Sequence, residues 1–297
     1  MVGSPALTRA TSYSTLLATA AAGKAQHGVI HSAFAAAVNI AFPGDLILSL
    51  NAANSPRMPN GLELSSVPGT FPFTALRPGM PVIFGAQRVL IEAVNCSLDL
   101  SYCTWWDPHI SRPAQLDRDT IAKNGEWLAG YLAASSSANR HSQGKSKDSS
   151  SFFADAIKGC KPPSFAALRS GYTIDALSLA RGLCGRGPGL TPTGDDILAG
   201  WMAINWLLHG PQPQLLAAFQ QVMTVARWQT HLLSRCWLGY AAEGNVAQPI
   251  KALLGAITND NETMLLTATR TVVAMGATSG HDLLQGILLG LQAFGAG

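Results

Sequence analysis

Charge is what this chain has least of: only 12% of its 297 residues are Asp, Glu, Lys or Arg, against 47% apolar. So lean a polar surface suggests that partner subunits cover part of it, although abundant Ala and Gly raise the apolar fraction. The net charge of +3 is small and its Lys and Arg are dispersed, which argues against a nucleic-acid face. The five cysteines are odd in number and include no Cys-x-x-Cys, so neither a disulfide framework nor a zinc site is expected. Reduced thiols in a cytoplasmic protein fit that pattern. No apolar run reaches the roughly 18 residues that span a bilayer, and Asn205 interrupts the stretch from Ile197 to Leu208. Arg9 and the short run Leu16 to Ala22 make a weak signal peptide and read better as a surface helix. Also missing are a Walker-type Gly-x-x-x-x-Gly-Lys-Ser/Thr loop, a Gly-x-Ser-x-Gly elbow and a His-Glu-x-x-His zinc motif.

What is present divides into two textures. From His27 to Leu100, short apolar runs such as Val38–Phe42, Leu46–Leu50, Val82–Phe84 and Val89–Val94 are broken by turn residues. Runs of that length predict strands, and Pro43-Gly44-Asp45 and Arg77-Pro78-Gly79 predict turns, since Pro presets φ and Gly accepts positive φ. From Pro113 onward the period becomes helical, over Leu116–Ala134, Ile174–Leu183, Ile197–Leu208, Leu215–Tyr240, Val246–Ile257, Glu262–Met275 and Asp282–Phe294. Trp228-Gln229-Thr230-His231 interrupts the fourth of these and suggests two helices there. Ser135 to Ser151, eight of seventeen residues Ser, reads as a mobile surface loop. The expected class is α+β: a strand-rich domain, residues 1–112, forming a small antiparallel sheet or barrel, then a helical domain, residues 113–297.

The most informative stretch is Gly185 to Asp196, rich in Gly and Pro and leading into a helix. Gly lets backbone N–H groups approach a ligand, and a helix start adds free donors and the positive end of a dipole. The run Thr193 to Gly200 overlays Ser279 to Gly286 without a gap: hydroxyl, Gly, variable, Asp, two aliphatics, variable, Gly. In both, the Asp and final Gly lie four residues apart, on one helical face. Two readings stand side by side. Either the two helix starts converge on one anion site, or they are ordinary capped helices packed through Gly.

These two motifs, with Gly187-x-Gly189-Leu190-Thr191-Pro192 ahead of the first and Gly276-x-Thr278 ahead of the second, resemble the AllH subunit family. The resemblance spans the helical half, roughly residues 176–293, and is weaker over the strands; the Ser-rich segment departs from it. It implies an oxamate carbamoyltransferase subunit that works with an FdrA-type and an AllG-type subunit in anaerobic allantoin breakdown, a branch of purine degradation. The implied reaction moves a carbamoyl group between carbamoyl phosphate and the nitrogen of oxamate, giving oxalurate and phosphate, and runs backward in catabolism. Its participants are small anions, which preorganised N–H donors suit.

Arg186 is the candidate partner for a phosphate or carboxylate, since guanidinium binds two oxygens at once. Gly187, Gly189, Gly194 and Gly280 would bring backbone close, and Thr191, Thr193, Thr278 and Ser279 offer hydroxyls, with Thr193 and Ser279 expected as helix caps. Asp195, Asp196 and Asp282 are the candidate catalytic carboxylates, although carboxylates repel an anion unless something compensates. They would orient Arg186 or partner-chain donors, bind Mg²⁺, or serve only the helix dipole; the first is favoured. No cofactor is firmly implied, and no metal ligand set is assigned. Cys184 reads as a small buried residue, His281 as a solvent-facing residue at a helix start, and His31, His109, His141 and His209 show no ligand spacing. Asn39, polar within a strand, is a further binding candidate whose simpler duty is a backbone hydrogen bond, and Asn54 and Asn60 would contribute from a rim. Trp105-Trp106 reads as a packed junction. The alternatives are a non-catalytic subunit completing a site on another chain, and a stand-alone metal-dependent hydrolase using the three Asp residues.

Overall fold

A computed structural model describes residues 10–53, 55–64, 71–142 and 174–295. Cys160, Asn54 and the later part of the Ser-rich segment lie outside the described residues. The chain divides into two compact units, Met1–Pro108 and His109–Gly297.

In the first unit the short apolar runs pair into one nine-stranded sheet. Its strands are β1 (Ala10–Ser14), β2 (Gln26–Ala33), β3 (Ala37–Phe42), β4 (Leu46–Asn51), β5 (Gly61–Leu64), β6 (Pro81–Gly85), β7 (Arg88–Ile91), β8 (Cys96–Asp99) and β9 (Thr104–Trp106). The order is β8-β7-β6-β2-β3-β4-β5-β1-β9. Val82 and Phe84, Val89 and Ile91, and Cys96 and Leu98 alternate into a shared core, as a half-buried pleat requires. Leu17 and Ala21, from the turn that leads into α1 (Ala18–Ala22) and from α1 itself, enter the same core. The expected turns are present: Gly44 sits at φ 78° between β3 and β4, and the Gly79 N–H donates to the Ile30 carbonyl. The sheet is larger than expected and not wholly antiparallel, because β4 pairs with β5, and β1 with β9, in parallel. Those pairings join segments whose partners are set by the path of the intervening chain, which strand patterning does not encode.

The second unit is helical. It comprises α2 (Arg118–Ser142), α3 (Ile174–Leu183), α4 (Thr193–His209), α5 (Pro213–Gln229), α6 (Leu232–Ala242), α7 (Gln248–Ile257), α8 (Glu262–Val273) and α9 (Ser279–Gly295). The break expected near Trp228 to His231 separates α5 from α6. Helix α2 continues to Ser142, into the segment expected to be a loop. Pro213 and Pro249 open α5 and α7, where a missing N–H costs nothing, and Asn261 caps α8 by accepting from the Met264 N–H at 2.9 Å. Arg112 serves the other end of α4, donating to the carbonyls of Leu207 and Leu208 at 3.0 and 3.3 Å.

Helix α4 is buried along nearly its whole length, and its closest neighbour is α9. The two cross through glycine. A Cβ on Gly200 would stand 2.1 Å from the Leu283 carbonyl oxygen, and one on Gly286 would stand 1.9 Å from that of Ile197. Neither distance is possible for a real side chain, so the backbones meet only because both residues are Gly. Gly286→Ala should therefore cost about 3 kcal/mol or more, as the helices are forced apart. Gly255→Ala, in α7 where a new Cβ meets nothing within 4 Å, should instead add up to about 1 kcal/mol. Urea unfolding of the two variants checks both signs.

Candidate functional site

The α3–α4 and α8–α9 hairpins are one structural unit built twice. Each preceding helix ends in a carbonyl, Leu183 or Val272, that accepts from the N–H of Arg186 or Met275 at 3.0 and 2.9 Å. The carbonyls of Arg186 and Met275 in turn accept from Gly194 and Gly280 at 2.9 and 3.0 Å. Gly194 and Gly280 pack so close that a Cβ on either would stand 1.9 Å from the Leu183 or Val272 oxygen. Gly187 and Gly276 follow with positive φ, 116° and 65°. Only the loop length differs, since residues 187–193 span six steps where 276–279 span three. The correspondence thus reaches well before the eight residues that match in sequence.

This arrangement brings the two helix starts together. The Thr191 and Ser279 hydroxyls lie 3.1 Å apart, and either can donate. Across the pair the contacts are reciprocal: Ser279, opening α9, bears on the Asp196 carboxyl of α4, and Thr193, opening α4, bears on the Asp282 carboxyl of α9. Thr193 is the first helical residue, not the cap. The cap is Pro192, which offers no side-chain bond. The expectation of a Thr193 cap is corrected: its hydroxyl is turned to the neighbouring helix, while the Pro192 carbonyl receives the Asp195 and Asp196 N–H groups.

The three carboxylates have different fates. Asp195 is buried and fully engaged: its Oδ1 accepts from the Gly185 N–H at 2.9 Å, and its Oδ2 accepts from Ser234 at 2.7 Å and from Thr230. Asp195 therefore orients no arginine; it ties the α3–α4 loop to the α5–α6 junction. Asp196, 9% exposed, has an Oδ2 without a partner, and Asp282, 0% exposed, has neither oxygen bonded. Burial pushes Asp196 up to about 8, with the charges of Asp282 and Asp195 adding and the Ser279 and Thr191 hydroxyls opposing. Burial raises Asp282 too. The hydroxyls of Thr193 and Thr278 and the charge of His281 pull it back, although neither hydroxyl completes a well-formed bond.

The loop residues are open. Arg186 to Leu190 are exposed, and among the described residues Arg186 forms no ion pair. The amides of Gly187, Gly189, Leu190 and Thr191 donate to no other group in the described structure. By contrast the Gly194 and Gly280 amides, expected to face a ligand, are consumed by the Arg186 and Met275 carbonyls. Among the described residues the unpartnered amides are thus in the loop more than at Gly194 and Gly280. Thr278 is exposed beside Gly276.

His281 is half-buried, its Nδ1 2.9 Å from Gln285 Nε2. Cys184 is buried, and burial and the Asp195 charge push its thiol up to about 12, which removes it as a nucleophile. Among the described residues Cys96, Cys103, Cys184 and Cys236 form no disulfide. Among the described residues no cluster of three or more His, Cys, Asp or Glu could hold a metal ion. Thr230 and Ser234 escaped the sequence reading as site residues; their signal was the polar break at Trp228 to His231.

In the first unit, Asn39 makes side-chain rather than backbone bonds, donating to Ser32 Oγ at 3.0 Å and accepting from Ser49. Asn60 extends this ladder, donating to Ser49 Oγ at 3.2 Å, and is buried, not at a rim. Trp105 is 60% exposed and packs on Tyr13, while Trp106 is buried.

The geometry defines a two-unit α+β protein whose helical unit pairs two glycine-bounded helix starts around buried carboxyls. Family profiles specify it further: residues 183–291 match the oxamate carbamoyltransferase subunit AllH, and residues 9–104 match the AllH family N-terminal domain. The chain belongs to the AllH family. No solved structure matches it.

The carboxyl pair has a consequence for stability. An unfolded Asp196 ionises near 3.8, whereas the folded one keeps its proton to about 8. Between those values the folded state binds the extra proton, so stability falls as pH rises through the window and levels off above it. Asp282 is raised as well and acts with the same sign. Urea midpoints measured from pH 4 to 8 should show that decline, and Asp196→Asn should flatten it.

Proposed function

We propose that this chain is the component of an oxamate carbamoyltransferase-type complex that holds the small anionic substrates at its two adjoining helix starts. It transfers a carbamoyl group between carbamoyl phosphate and oxamate, or back from oxalurate, together with an FdrA-type and an AllG-type subunit. The observation that carries this reading is the meeting of the two family motifs, with Thr191 and Ser279 3.1 Å apart beside loop amides that have no partner among the described residues. Arg186 and the amides of Gly187, Gly189 and Thr191 hold the phosphate or carboxylate, with Thr278 and Ser279 contributing hydroxyls. Gly194 and Gly280 set the backbone that presents them. Asn39 belongs to a separate buried ladder and has no role in this reading.

Asp195 positions the loop, and Asp196 and Asp282 are the carboxyls left for chemistry. An uncharged Asp196 removes the repulsion that two carboxylates would otherwise exert on an anion. This favours a proton over Mg²⁺ as the compensating charge and weakens the reading as a three-carboxylate metal hydrolase. The low charged fraction of 12% supports a chain that works with its surface covered.

Reconstitution with the two partner subunits tests the proposal. The chain alone should release little phosphate from carbamoyl phosphate and oxamate, and the complex should release it readily. Arg186→Ala should raise the KM for both anions at least about tenfold, the loss of one charge-assisted contact, with unchanged unfolding. Full activity of the isolated chain rejects the obligate complex, and an unchanged KM removes Arg186 from the site.

A further inference from the structure

The helical unit contains two buried carboxyls that its own folding does not require. Asp282 is 0% exposed with both oxygens unbonded, and Asp196 is 9% exposed with Oδ2 unbonded. An unpaired buried polar group costs about 1–3 kcal/mol or more, and native interiors rarely keep one without a use. Here the repeat keeps two, at equivalent positions, each set against the hydroxyl that opens the other helix.

The surroundings narrow the use. From the α3–α4 loop and α4 the pair is faced by Thr191, Thr193 and Asp195, the last already tied to Gly185, Thr230 and Ser234. From α9 and the loop before it come Thr278, Ser279 and His281. Among the described residues no Lys or Arg acts on either carboxyl, and Arg186 lies in the exposed loop. Two carboxylates that repel one another retain a proton between them, and the His281 charge, which acts on Asp282, favours Asp282 as the ionised member. Asp196 is the less deeply buried of the two, 9% exposed against 0% for Asp282, although its Oδ2 is itself buried.

We propose that Asp196 is the acid that delivers a proton to the departing amide nitrogen when the carbamoyl group is taken from oxalurate, and that Asp282 is the positioning residue that keeps it protonated. This rests on the carbamoyl-transfer reading above and assigns the proton step within it. A phosphate oxygen bonds to the terminal carbamoyl carbon of oxalurate, and the bond from that carbon to the bridging nitrogen breaks. The electron pair goes to nitrogen, which takes the Asp196 proton and leaves as the amide of oxamate. The proton of the attacking hydrogen phosphate returns to Asp196, leaving carbamoyl phosphate. Nothing is oxidised or reduced, and the dyad ends as it began. In the opposite direction Asp196 gives its proton to the departing phosphate and, so ionised, accepts the amide proton of oxamate.

The test uses the reconstituted complex, supplied with oxalurate and phosphate. Asp196→Asn should lower kcat by about 100-fold or more while the KM for phosphate stays near that of the wild type. The wild-type rate should fall as pH rises through about 8, where the acid is lost. Asp282→Asn removes the neighbouring charge and should shift that fall to lower pH, an effect that a purely structural residue would not produce. Infrared spectra of the isolated chain give a reading that needs no partner: a protonated-carboxyl stretch at neutral pH, absent in Asp196→Asn. An inactive wild-type complex defeats the carbamoyl-transfer reading and this inference together. An active complex in which Asp196→Asn turns over normally, or a wild-type chain without the carboxyl stretch, overturns the inference alone. An unmoved pH limb in Asp282→Asn overturns the role of Asp282.

Discussion

Everything in the helical unit turns on two backbones touching. Gly200 lies against Leu283 and Gly286 against Ile197, at separations that no Cβ would allow. Helix axes that carry side chains at their contact stay 8–10 Å apart, whereas glycine lets the main chains themselves make the contact. One helical turn upstream of each glycine stands an Asp, and three residues further upstream a hydroxyl residue. Crossing at the glycines consequently sets each Asp against the other helix's opening hydroxyl. The convergence of Thr191 with Ser279 is a result of that crossing, not a separate arrangement.

Adjacent aspartates then divide the labour. Successive helical residues point about 100° apart, so Asp195 and Asp196 look in different directions from the same turn. Asp195 looks toward the α5–α6 junction and collects three donors, which accounts for the polar interruption between those helices. Asp196 looks toward α9 and finds only another carboxyl and two hydroxyls. A buried charge that is well bonded holds a fold together, and one that is not raises its own pKa instead. The contrast between neighbours in sequence separates a fully bonded carboxylate from one whose burial raises its pKa.

Much of this was legible in the sequence, and the limits have physical causes. The eight-residue match between Thr193–Gly200 and Ser279–Gly286 announced the paired helix starts because glycine, hydroxyl and Asp are each required by the contact. The earlier half of the repeat was hidden. Leu183 corresponds to Val272 and Arg186 to Met275 through main-chain hydrogen bonds, which place no demand on side-chain identity, and the unequal loops break the alignment. The presence of the helices was readable from periodicity and the α5–α6 break from its polar residues, but not every limit, since α2 runs on to Ser142 and α4 begins at Thr193. The Thr193 cap was misread, since a hydroxyl before a helix looks the same in sequence whether it serves its own helix or the next. The Ser32–Asn39–Ser49–Asn60 ladder depends on the register of β2, β3 and β4, which no local pattern specifies.

The repeat also explains why its two halves are not interchangeable. A strictly symmetric pair of carboxyls would share a proton evenly, with nothing to decide which one meets a ligand. Symmetry is kept where the helices touch and lost in the loops that precede them. The first loop is the longer, and it carries Arg186 where the second has Met275. Asp196, 9% exposed, keeps a margin of access, while Asp282 has none. The longer loop thus carries Arg186 and amides that are unpartnered among the described residues, and it leads into the helix that bears Asp196. The shorter loop contributes a sealed carboxyl whose field acts on its twin. The paired unit is thus alike at its packing contact and unlike in the loops that precede it.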